Sequence, residues 1–248
     1  MGLILLRIGL LVLCAAVTSL LLAASSGSGF SLTASPQFSA LFFIPVNAVS
    51  LWLVVRAARR DGVGLPELLD FDRSRLLRDL GMGIVWQTVL FIPFVALISL
   101  AMLLLFGASG FAGGFELVFT PDPDQFVQLP FAWALASAVV VAVLFPLTNA
   151  PAEELTYRRH AQRQLLERGR PAWLAVLLPS VFFGLQHVFL APTAAGMLAY
   201  ALAFTGWGVG AAIIYMRSGR LMPVVIAHFL TNFIFGLLPL ALLMFAFY

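Results

Sequence analysis

A chain that returns again and again to uninterrupted apolar runs of about twenty residues has few ways to fold. Such runs fall at roughly 2–24, 38–55, 81–106, 131–150, 172–190, 195–216 and 222–246. Each is long enough to cross a hydrocarbon layer of ~30 Å as a helix. None shows the period-two alternation of a barrel strand, so helices are the remaining way to satisfy the backbone in lipid. The expected fold is all-α, a polytopic transmembrane bundle of about seven helices. With 62% hydrophobic residues, a soluble core of this length could not cover the apolar side chains. The single cysteine, Cys14, rules out a disulfide framework and a cysteine-based metal cluster.

The connections give the expected orientation. Residues 25–37 carry no charge, 56–79 carry six arginines, and 107–130 carry only acidic charges. Residues 151–171 hold five arginines, 191–194 none, and 217–220 two. The positive-inside rule then places the N-terminus and the arginine-rich connections in the cytoplasm. The natural location is a bacterial-type cytoplasmic (inner) membrane, crossed many times. Such arginines serve topology, and a nucleic-acid partner is not expected. Arg7 near the cytoplasmic end of the first segment is expected to snorkel as one more topology determinant. That segment shares features with a signal peptide, but its apolar core exceeds the usual ~7–15 residues, so a retained helix is expected. Two parts of a single membrane domain are anticipated. Residues 1–130 supply three helices and a cytoplasmic amphipathic connection at 56–80; residues 131–248 form the chemical core. Gly206 and Gly210 form a G-x-x-x-G pair, which predicts close helix packing.

Ionisable residues inside membrane segments cost about 2.5–3.5 kcal/mol on insertion scales, so each asks for a reason. Five polar residues on three segments stand out with one partner arginine: Glu153, Glu154 and Arg158; His187; His228 and Asn232. Glu154 and Arg158 are four apart, the spacing of an ion pair on one helix face. His228 and Asn232 share that spacing, as do Phe183 and His187. With Gly169-Arg170-Pro171 as the turn of a helical hairpin, Glu153 and His187 lie equally far from it and face one another. His228 reaches their level only if the 152–178 hairpin projects beyond the bilayer. The arginine-rich half suits that, and the apolar "AWLAVLL" does not.

A carboxylate beside an imidazole can hold and deprotonate a water, while a second imidazole and a carboxamide N–H can stabilise an oxyanion. Equally, two histidines and a glutamate are a sufficient ligand set for a catalytic divalent metal such as zinc. Either route attacks a carbonyl. No Ser–His pair presents itself, because Ser180 is about two helical turns from His187.

The order E-E-x-x-x-R (Glu153, Glu154, Arg158), F-x-x-x-H (Phe183, His187) and H-x-x-x-N (His228, Asn232) across roughly 145–240 resembles the CPBP family. These are the CAAX-processing and bacteriocin-processing intramembrane proteases, also called the type II CAAX protease or Abi family. The resemblance implies a glutamate-dependent or metal-dependent intramembrane endopeptidase acting on a membrane-associated peptide or protein, prenylated or not. It implies Glu153 as water activator with His187. His228 and Asn232 would form an oxyanion site or complete a metal site with Glu153, His187 and His228 as ligands. Glu154 and Arg158 would brace the helix. Family members often have Gly after the motif arginine, where Arg159 stands here, which implies a different local turn or access path. Two other readings stay open: a non-proteolytic member serving as an immunity or partner-binding protein, and a proton-coupled transporter.

Overall fold

The computed structural model describes residues 1–26, 36–120, 127 and 129–246. These residues form helices, with no strand among the described residues: α1 (Gly2–Ser26), α2 (Pro36–Arg60), the short α3 (Leu65–Leu68), α4 (Leu76–Phe119), α5 (Phe131–Glu154), α6 (Arg163–Glu167), α7 (Ala172–Gln186), α8 (Ala194–Ser218) and α9 (Met222–Ala246). A wider π-helical segment, Leu155–Gln162, joins α5 to α6, and a 3-10 turn, His187–Leu190, continues α7. Seven of the resulting spans are long and apolar enough to cross a membrane. The protein is an integral, multi-pass membrane protein.

Its outer surface is apolar, with Leu13, Leu21, Ile92, Leu104, Trp133, Leu242 and Phe245 exposed. Polar side chains are instead gathered inside, among them Arg7, Asn47, Asn149, Glu153, Glu154, Arg158, Gln186, His187 and His228. Lipid tails offer no hydrogen bonds, so polar groups find partners within the bundle or remain costly. α5 packs along α9, α8 is gripped between α4 and α7, α2 lies on α5, and α1 lies on α2. Gly206 and Gly210 bring α8 against α4 as anticipated: a Cβ on Gly210 would stand 2.6 Å from Leu90, and one on Gly206 would collide with Leu97.

Three connections differ from the sequence expectation. α5, the π segment and α6 run as one 37-residue rod from Phe131 to Glu167. At 1.5 Å per residue that is about 55 Å, well beyond the hydrocarbon thickness. The anticipated amphipathic helix within 56–80 is broken. Asp70 adopts the left-handed conformation (φ 52°) and ends α3, and Asp72 restarts the chain by accepting the Ser74 N–H at 2.9 Å. Asp70 also ties this loop to the bundle, accepting from Arg159 at 3.2 Å and from the Leu221 N–H at 2.8 Å. Arg220 binds both the Asp70 carbonyl and the Asp79 carboxylate. The third difference lies at Gly107, whose φ of 67° turns the helix back on itself. The following turns lay Gly114 against Phe106 and Met102 and bring Val118 to Thr193 at the start of α8.

Candidate active site

Pro146 and Pro151 each withdraw a backbone donor from α5, and the helix widens to π geometry directly after Glu154. Such widened turns recur at functional sites because they re-aim side chains without breaking the helix. Adjacent positions on a helix point about 100° apart, so the two glutamates serve different partners.

Glu153 has no exposed surface and its two oxygens are used differently. Oε1 accepts from Arg7 Nη2 at 2.7 Å. Oε2 has no hydrogen-bond partner, and both catalytic-candidate imidazoles present Nε2 to it, His228 at 3.6 Å and His187 at 3.9 Å. Both rings are oriented from their other nitrogen. His187 Nδ1 donates to the Phe183 carbonyl at 2.6 Å, and the ring stacks on Phe204 with centroids 3.7 Å apart. His228 Nδ1 donates to Glu154 Oε1 at 2.7 Å. With Nδ1 carrying the proton in each ring, the neutral form of each exposes an Nε2 lone pair toward Glu153.

Glu154 therefore does more than brace its own helix. Its Oε1 accepts from Arg158 at 3.1 Å and also sets the His228 ring. Arg158 donates to the Gly208 carbonyl at 3.3 Å and lies over Phe183, 4.5 Å from its ring centre. Phe183 thus joins the two halves, with its carbonyl on His187 and its ring under Arg158. Asn232 is buried, and its Nδ2 has no hydrogen-bond partner. The Ser180 hydroxyl donates to Val176 of its own helix, at 2.6 Å.

The hairpin count brings Glu153 and His187 together as expected, and α9 adds His228 and Asn232. Arg7 departs from the expectation. It does not snorkel: it is fully buried and donates to Gln186, Ser50, Asn47, Asn149 and Glu153. A lysine or arginine can snorkel only if water lies within reach of its stem, and here three helices surround the guanidinium. Tyr157 closes the polar cluster by donating to Gln186 Oε1 at 2.9 Å. Asn47 and Ser50 lie three apart on one face of α2, and Gln186 precedes the motif histidine. Those polar spacings in apolar segments were the available signal.

Two glutamates and two arginines balance formally, so the carboxylates are compensated within the site. Two Nε2 lone pairs and an unpartnered carboxylate oxygen are also donors of the right type for a divalent ion. Donors around one tetrahedral zinc lie roughly 3.3 Å apart, closer than the 3.6 and 3.9 Å seen here.

Residues 130–234, less than half of the chain, match the family model described as type II CAAX prenyl endopeptidase Rce1-like. No curated protein and no solved structure matches the chain. The matched region contains both glutamates, Arg158, both site histidines and Asn232, and over these residues the chain is similar to the CPBP/CAAX protease family.

Proposed function

We propose that the protein is an intramembrane endopeptidase that hydrolyses a peptide bond of a membrane-associated substrate. The observation that carries this reading is the buried, unpartnered Glu153 Oε2 facing the Nε2 atoms of His187 and His228. A water has two O–H bonds, and Glu153 Oε2 and His187 Nε2 are two acceptors placed to receive them. As the water oxygen forms its bond to the scissile carbonyl carbon, its proton passes to Glu153 and the carbonyl electron pair moves onto oxygen. Asn232 Nδ2, buried without a partner, is a ready donor to that oxyanion. His228 Nε2 faces the same Glu153 oxygen, with its ring held from Nδ1 by Glu154. Collapse of the tetrahedral intermediate breaks the C–N bond, and the proton held by Glu153 goes to the leaving amine.

Were a divalent ion held here, Glu153, His187 and His228 would hold it, and it would polarise the carbonyl or acidify the water. The steps assigned above to the protein's own residues do not depend on it. The test is a farnesylated CAAX-type peptide supplied to proteoliposomes, with products identified by mass spectrometry. Wild type should release a tripeptide and His187→Ala should not. An intact peptide with wild type, or equal release by both, would count against the assignment.

A further inference from the structure

The family-matched region begins at residue 130, yet its key carboxylate is held from outside it. Arg7 lies in the second turn of α1 with no exposed surface. Its guanidinium donates to Glu153 Oε1 (2.7 Å), Asn47 Oδ1 (2.6 Å), Gln186 Oε1 (2.9 Å), Ser50 Oγ (3.1 Å) and Asn149 Oδ1 (3.4 Å). Those acceptors come from α2, α5 and α7, so the fork is fixed in its plane by three helices besides its own. A point charge would also neutralise Glu153, but it would not select one oxygen. A planar guanidinium held by four neutral acceptors does. With Oε1 taken, Oε2 is the oxygen left toward the imidazoles.

The geometry points to Arg7 as a positioning residue: supplied by α1, it holds the Glu153 carboxylate with a single oxygen presented to His187 and His228, so the N-terminal helices complete the site. This rests on the reading of Glu153 as the water-activating base. It also gives α1 and α2 a task beyond anchoring, since Asn47 and Ser50 aim the arginine that aims the glutamate.

The test uses the full chain in lipid nanodiscs as wild type, Arg7→Lys, Arg7→Gln, Glu153→Gln and the Arg7→Gln/Glu153→Gln double variant. Arg7→Gln leaves a buried carboxylate without its counter-charge, so the double variant should unfold no earlier than Arg7→Gln alone. Strictly additive shifts would overturn the clamp. The chain has three histidines, so histidine ring ¹⁵N spectra are assignable. In Arg7→Gln the His187 and His228 resonances should move while His160 stays, and an unchanged spectrum would overturn the positioning role. On the farnesylated CAAX peptide, Arg7→Gln should lose about 100-fold in kcat with KM within about twofold. Arg7→Lys should recover the thermal midpoint but not kcat; full recovery of both would reduce Arg7 to a charge. If wild type leaves the peptide intact, the proteolytic reading fails, while the cycle and the spectra still decide the clamp.

Discussion

Gly184 is the point at which packing and chemistry are most closely joined. It sits on α7 three residues before His187, where α7 and α8 approach so closely that no side chain fits. A Cβ at this position would overlap Thr205 Oγ1 and the Ala201 carbonyl oxygen, and would stand 2.9 Å from the Thr205 nitrogen. A hydroxyl can rotate away, but the other two atoms belong to the α8 backbone. The helices must therefore separate by about 1 Å to restore ordinary contact. Overpacking of this kind costs about 1–3 kcal/mol, and backbone obstacles place Gly184→Ala at the upper end of that range. The chemical effect should be larger. His187 is stacked on Phe204 of α8 and stands 3.9 Å from Glu153 Oε2, so a displacement of about 1 Å can cost on the order of 100-fold in kcat. Thermal unfolding in detergent and peptide cleavage in proteoliposomes would measure both effects. Gly81→Ala is the control: nothing lies within 4 Å of its Cβ, and alanine favours the helix. A Gly184→Ala protein with wild-type midpoint and wild-type rate would refute the reasoning.

Three further outcomes follow from the same geometry. Asn232→Ala removes the proposed oxyanion donor, whose Nδ2 has no other partner, so kcat should fall by about 10²–10³ with little change in unfolding temperature; a rate within twofold of wild type would remove Asn232 from the site. Glu154→Gln keeps an oxygen that can accept but removes the negative charge facing both Arg158 and His228, leaving a buried guanidinium uncompensated, and should destabilise by about 3–5 kcal/mol in chemical unfolding. Because the proposed steps run through the protein's own residues, dialysis against EDTA should leave the cleavage rate unchanged. A loss reversed by added zinc would instead put an ion among them.

The membrane spans were legible because lipid imposes length and apolarity locally, residue by residue. Segments five to seven agree closely with α7 and its 3-10 turn, α8 and α9. The apolar run of segment four stops at 150, whereas the helix continues through the arginine-bearing turns to Glu167, because charge ends hydropathy without ending helix. The meeting of Glu153 with His187 was legible because rise per residue converts sequence distance along a hairpin into height. Arg7 was not, since its environment is made by residues 40 to 179 positions away, and nothing near it in sequence foretells Gln186 or Asn47. The second task of Glu154 was hidden for a related reason. Its i, i+4 partner Arg158 is visible on one helix, whereas His228 arrives from α9, 74 residues on. The Gly expected after the motif arginine is replaced by Arg159, and the structure gives that side chain a partner: it reaches Asp70 in the loop after α3.

In the proposed mechanism Glu153 activates the attacking water. Glu153→Gln keeps the shape of the side chain, and its carboxamide oxygen can still accept from Arg7, but it cannot take a proton. The direct measurement is the single-turnover rate of peptide cleavage by wild type and Glu153→Gln, both folded in the same lipid. Loss of general-base action predicts a fall of at least about 10²–10⁴ in the rate. Cleavage by Glu153→Gln at the wild-type rate would contradict the mechanism.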